Sequence, residues 1–184
     1  MQISAISTAR VPSTTANSIQ VMKVCQALTR NGHSLRLYLP GERRANWDEL
    51  ARQYGLSVPF QIEWLAVRRG LRNNDFAWRA VNRALAEPLA PGETPWIYTW
   101  SFQAAVLGVL RRKPVFLEIH DLPSGKLGPL WLRAFLRLPG QKRLGLISHA
   151  LRERLEKWLG KALPADSRIM PNGLDLDYYV DLPA

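Results

Sequence analysis

Residues 96–121 read WIYTWSFQAAVLGVLRRKPVFLEIHD, a strand, a helix and a second strand in succession. Trp96-Ile-Tyr-Thr-Trp100 is a short aromatic and β-branched run, the composition of a strand. Ser101 can cap a helix predicted to reach about Arg112. Pro114-Val-Phe-Leu-Glu-Ile119 is a second apolar strand, and it ends in His120 and Asp121. Two strands joined by one helix form a βαβ unit, in which the strands lie parallel.

The same alternation continues in both directions. Upstream, strands are predicted at Ile3–Ser7, Leu35–Leu39 and Phe60–Val67. Ser18 is the expected cap of a helix carrying Ile19, Met22, Cys25 and Leu28 at helical spacing, which Gly32 ends. Asn46–Tyr54 reads as a short helix, and Asn73 or Asn74 opens another through Leu85. Downstream, Leu144–Ile147 and Arg168–Met170 read as strands. Between them Ser148 caps a helix bearing Leu151, Leu155, Trp158 and Leu159, closed by Gly160. Strands and helices alternating in this way predict a doubly wound, Rossmann-like parallel sheet. Ligands in such sheets bind beyond the carboxyl ends of the strands, near the switch in strand order. That rule selects the loops Thr8–Asn17, Trp100–Phe102, His120–Pro123 and Ser148–His149.

Composition narrows the class. The chain has 184 residues, of which 47% are hydrophobic and 22% charged, as in an ordinary folded domain. Its one cysteine, Cys25, excludes an internal disulfide framework. The longest aliphatic run, Ala104–Leu110, is far too short to span a membrane. The first residues, MQISAISTARVP, lack the basic start and apolar core of a signal peptide, so the simplest expectation is a cytosolic protein. The net charge is +10, from 25 Lys and Arg against 15 Asp and Glu. Such an excess suits an anionic partner: nucleic acid, a phosphorylated substrate or an anionic membrane face. It is concentrated in residues 64–86 and 122–143, and an Arg-rich solvated surface is the plainer reading.

Several familiar signatures fail. No two glycines stand two apart, so no dinucleotide fingerprint exists. Gly140 and Gly145 have P-loop spacing, but Leu146 stands where a lysine is required. Cys and His show no metal spacing, and no nucleophile elbow or RNA-binding signature is present. Asp175-Leu-Asp177 has the form of a metal-carrying DxD, but an Asp after Pro171-Asn172-Gly173 better suits a helix cap.

Three places remain for chemistry. The loop Thr8–Ser18 is long and hydroxyl-rich and runs into a helix N-terminus, where backbone N–H groups and the dipole favour an anion or a hydroxylated ligand. A plain Pro-Ser-Thr connector has the same composition. His120, at a strand end, can exchange a proton near neutrality or bind a sugar hydroxyl; a local backbone contact would serve it as well. The third is 127–138, where Leu127, Leu130, Trp131, Ala134, Phe135 and Leu138 form a helical stripe started by Pro129 and stopped by Pro139-Gly140. Arg133 and Arg137 lie on another face, with Lys126, Lys142 and Arg143 flanking. This is either a helix docked on the sheet or an interfacial helix, with Trp131 and the five basic residues facing a membrane. Both hold together if the stripe packs while Leu132 and Leu136 reach lipid. Each basic residue near an anionic leaflet contributes about 1 kcal/mol.

Taken in order, these segments resemble the N-terminal half of family 4 glycosyltransferases, retaining enzymes of the two-domain GT-B fold. The resemblance rests on the helix Val21–His33, with its Leu, Gly and His ending, on Pro114–Pro123, on Leu146–Leu155, and on Ile169-Met-Pro-Asn-Gly-Leu-Asp175 with Tyr178-Tyr179. The family often has Gly-Gly in the first loop, where this chain has Thr15-Ala16-Asn17. The resemblance implies an acceptor-side domain over residues 1–170 and the start of an interdomain hinge over 171–184. The donor-binding half, which carries the family's Glu pair eight positions apart, is not in this sequence, so the chain alone is expected to be inactive. It further implies a nucleotide sugar as donor substrate, a sugar or lipid-linked acceptor, and no cofactor or metal. His120 is then the residue at the reacting sugar. Thr15, Ala16, Asn17, Ser18, Trp100, Ser101, Asp121, Ser148, Asn172 and Gly173 are candidate substrate contacts. A cytoplasmic protein, peripheral at the inner membrane face, fits this reading. A GT-B nucleotide-sugar epimerase and a basic nucleic-acid-binding α/β module are the alternatives.

Overall fold

The computed structural model describes residues 1–67, 72–88 and 95–173. Seven strands form one fully parallel sheet: β1 (Gln2–Ile6), β2 (Ser34–Pro40), β3 (Gln61–Leu65), β4 (Trp96–Thr99), β5 (Val115–Ile119), β6 (Lys142–Leu146) and β7 (Arg168–Ile169). Six helices join them: α1 (Ala16–Arg30), α2 (Trp47–Tyr54), α3 (Arg72–Leu85), α4 (Phe102–Leu110), α5 (Gly128–Arg137) and α6 (His149–Leu159). The strand order is β3-β2-β1-β4-β5-β6-β7. The doubly wound α/β expectation therefore holds, with its switch point between β1 and β4.

Handedness explains which helix covers which face. The chain winds outward from β1 to β3, returns through α3, and winds the other way from β4 to β7. Right-handed crossovers then put α1 and α2 on one face and the later helices on the other. Ile3, Ala5, Leu37 and Leu39 pack against Val21 and Met22 of α1 and Leu50 of α2. On the opposite face Ile6, Ile97, Leu117 and Leu144 meet α3, α4, α5 and α6 through Phe76, Ala105, Phe135 and Leu155. Alternate residues of one strand thus serve two cores. Gly108 lets α4 lie close on the sheet, since a Cβ there would stand 2.8 Å from Val115 Cγ2 and 2.9 Å from Ile97 Cδ1.

Local signals set most boundaries. Asn46 and Glu49 form a capping box on α2, and Gly55 ends it at φ 60°. Ser101, Ser148 and Gly160 cap as expected, Gly160 at φ 70°. The first helix is a correction: Thr15 is its cap, accepting from Ser18 N at 3.4 Å, and Ser18 lies inside the first turn. β6 begins two residues early, because Lys142 and Arg143 pair with Val115 and Phe116.

The phase of α5 is a second correction. Leu132, expected to reach lipid, is 0% exposed, and Leu136 packs partly against the core. Leu127 and Leu130, expected to pack, are 49% and 58% exposed. Leu130 stands three and seven residues before Arg133 and Arg137, on their side of the helix, so that edge turns to solvent and Leu132 and Phe135, opposite it, turn inward. Lys142 is corrected as well. Its ammonium donates to Phe135 O at 2.7 Å, Leu136 O at 2.9 Å and Leu138 O, capping the negative end of α5. Burial lowers its pKa, opposed by Asp166.

At the amino edge of the sheet a carboxylate ties three elements together. Glu87, buried just after α3, accepts from Gln2 Nε2 at 2.9 Å and from Tyr38 Oη at 2.5 Å. Arg36 Nε stands 2.7 Å from it. Burial and Glu87 push the Tyr38 phenol well above its ordinary pKa. The hollow beside them, about 440 Å³, has Gln2, Arg36, Arg83 and Glu87 among its walls.

Candidate active site

At the carboxyl edge, β5 places Glu118 and His120 two residues apart and therefore on one side of the strand. Glu118 is 3% exposed. Desolvating a carboxylate costs several kcal/mol unless donors replace the lost water. Three do so here. Gln20 Nε2, from the second turn of α1, donates to Oε1 at 2.9 Å. His120 Nε2 lies 2.6 Å from the same oxygen. Tyr98, from β4, gives its hydroxyl to Oε2. Burial first, then the charge of Glu118, raises the Tyr98 phenol pKa and the Cys25 thiol pKa, so both stay protonated at neutral pH.

The network fixes the imidazole. The second Gln20 amide hydrogen goes to Asn172 Oδ1 at 2.7 Å. Gln20 Nε2 also stands 3.1 Å from His120 Nε2, but its two hydrogens are committed elsewhere. His120 Nε2 therefore carries the hydrogen that points to Glu118, and Nδ1 is the ring atom left to act. The His120 side chain is 27% exposed. A fixed, half-open imidazole of this kind can accept from a hydroxyl or donate to one once protonated.

Beside this cluster runs a groove of about 730 Å³ between α1 and the end of β7. Ala16, Gln20, Tyr98, Glu118, Met170, Asn172 and Gly173 are on its walls. The structure thus brings Ala16, Asn172, Gly173 and His120 to one place. Gly145 keeps the nearby sheet face low, since a Cβ there would stand 2.9 Å from the Phe116 ring.

Other expected contacts sit elsewhere or are already engaged. Ser18 is 0% exposed and gives its hydroxyl to Ser13 O and Thr15 O, both at 2.8 Å. Its role is to hold the first loop, which Tyr54 also fastens by accepting from Ser13 N at 2.7 Å. Thr15 and Asn17 are exposed at the start of α1. Ser101 is buried as the α4 cap, Ser148 caps α6, and Trp100 packs edge-on to Tyr98 at 5.0 Å. Asp121 accepts from Leu122 N at 2.8 Å in a tight turn. Asp175, Asp177, Tyr178 and Tyr179 lie outside the described residues.

Glu118, Gln20 and Tyr98 are the residues that sequence reading missed. The Glu118 signal was there: a charged residue inside an otherwise apolar strand, in phase with His120. Gln20 carries no such mark. Among the described residues no group of three His, Cys, Asp or Glu is placed to hold a metal ion, and no helix is long and apolar enough to cross a membrane.

No protein-family model matches this sequence, and no curated protein matches it. Among solved structures, UDP-N-acetylglucosamine 2-epimerase from Rickettsia bellii is similar in fold, with a TM-score of 0.55 and 14% sequence identity. The match covers 98% of this chain and 47% of that one, so this chain spans about half the length of its neighbour. At that identity the likeness is one of fold alone: a Rossmann-like α/β domain.

Proposed function

We propose that this chain is the acceptor-side half of a retaining GT-B glycosyltransferase that uses a nucleotide sugar. The observation that carries the reading is His120, held by a buried carboxylate at the end of β5 and linked through Gln20 to Asn172. In this reading His120 contacts a hydroxyl of the reacting sugar. The start of α1, with Thr15, Ala16 and Asn17, faces the donor phosphates, where backbone N–H groups offset negative charge. The resemblance around Pro171-Asn172-Gly173 favours a transferase. A second reading, a nucleotide-sugar epimerase, is favoured by the fold likeness to the Rickettsia enzyme.

Alone, the 184-residue chain is expected to unfold cooperatively and to turn over no nucleotide sugar. The test pairs it with a donor-binding half and a panel of nucleotide sugars. Nucleotide release that depends on an added acceptor supports the transferase. A changed sugar still joined to its nucleotide supports the epimerase. Transfer by the chain alone would refute the half-enzyme reading.

A membrane-bound acceptor is a further part of the proposal, with altered contacts. Leu127 and Leu130 are exposed beside Lys126, and Arg133 and Arg137 lie on exposed positions of the same helix. Arg143 is paired with Asp166 at 2.6 Å, Arg133 lies 4.9 Å from the Trp158 ring, and Lys142 is turned inward. The basic zone is thus broken up, which weakens the nucleic-acid alternative and leaves an apolar-basic patch. The chain should co-sediment with anionic vesicles at low salt and not with neutral ones. Leu127→Ser with Leu130→Ser should cut that binding about a hundredfold, since burying two such side chains contributes about 3 kcal/mol. Equal binding of the double variant removes the patch from the account.

A further inference from the structure

We infer that Glu118 is the positioning residue of this site: its buried carboxylate fixes the orientation of His120 through Nε2–H, so that Nδ1 is the atom offered to substrate. The inference rests on the role proposed for His120 and adds a residue to it.

The chemistry of the donor set supports a carboxylate in particular. Tyr98 O–H, Gln20 N–H and His120 N–H all converge on Glu118. An ionised carboxylate only accepts, and its two oxygens can take all three. A glutamine would turn an NH₂ toward one of these donors. A charge buried this deeply is costly, and an apolar residue would fill the same place on the strand with less loss. Of the three donors Tyr98 is buried, whereas Gln20 and the His120 imidazole are partly exposed. Gln20 adds a link to the chain beyond β7, because the same amide binds Glu118 Oε1 and Asn172 Oδ1. The orientation of His120 is thereby tied to α1, β4 and the segment at Asn172, rather than to its own loop.

The chain has three histidines, His33, His120 and His149, so ring ¹⁵N spectra are assignable with a His120→Gln variant. In the unaltered chain one ring N–H, at Nε2 of His120, should be protected from solvent exchange. Glu118→Ala should abolish that signal, and Glu118→Gln should keep it weakened, because the amide carbonyl still accepts. No protected Nε2–H in the unaltered chain overturns the proposal, even if Glu118→Ala fails to fold. So does a signal that survives unchanged in a folded Glu118→Ala chain.

In the enzyme completed by its donor-binding half, Glu118→Gln should lower turnover on the order of tenfold, as loss of a histidine's supporting partner does. The Glu118→Gln, His120→Ala double variant should be no slower than His120→Ala, since one residue acts through the other. Additive losses would make Glu118 an independent contributor and overturn the positioning role. If no nucleotide sugar is turned over, yet the ring signal is present and depends on Glu118, the proposed function fails and the pairing stands.

Discussion

In the completed enzyme, His120→Ala should lower sugar transfer about a hundredfold, the loss typical of one hydrogen bond made at a reacting centre. The fold should hold. His120 is half-exposed, and its removal leaves Glu118 with both Tyr98 and Gln20 as donors. The stability change should therefore stay within about 1 kcal/mol, the net value of a single hydrogen bond. Initial rates and a thermal unfolding curve separate the two effects. A His120→Gln variant, whose amide can still meet a hydroxyl, should recover part of the rate. Normal transfer by His120→Ala, or an unfolded variant, would make His120 a structural residue and move the site elsewhere.

The opposite edge of the sheet should respond through stability alone. Glu87→Ala removes the acceptor shared by Gln2, Tyr38 and Arg36. The Tyr38 side chain is fully buried, so its hydroxyl would lose its partner without gaining water. Breaking such a buried pair costs about 3 kcal/mol. For a domain of this size that lowers the melting temperature by about 10 °C. Glu63→Ala is the control. Glu63 binds Arg83 at 2.7 Å and Arg36 at 3.1 Å, but its side chain is 25% exposed, and its loss should cost under about 1 kcal/mol. Activity per folded molecule should be unchanged in both. Equal melting points for Glu87→Ala and the parent would show that the cluster is a surface contact.

Some elements were legible because their cause is local. Asn46 with Glu49, Ser101, Ser148 and Gly160 act within one turn of backbone, and their helices begin or end where those residues stand. The first loop shows the limit of local reading. Ser18 and Thr15 are both good caps, and the choice fell to Thr15 because Ser18 is drawn inward to the Ser13 and Thr15 carbonyls, in a loop that α2 fastens through Tyr54. Helix α5 differs: its inward side, with Leu132 and Phe135, lies opposite Arg133 and Arg137 and packs against α4, while Leu130, on the arginine side, stays exposed.

The parallel α/β class and the place of His120 at a strand end can be read from the residues alone, because strand period, helix period and capping are properties of neighbouring residues. Packing of the whole chain set the strand order and the partners of the two buried carboxylates. Gln20, Tyr98, Glu118 and Asn172 come from α1, β4, β5 and the segment after β7, and they meet only once the sheet has formed. A buried charge is kept by whichever donors the packed chain brings within reach, and no pattern along the sequence specifies contacts that the packing itself creates.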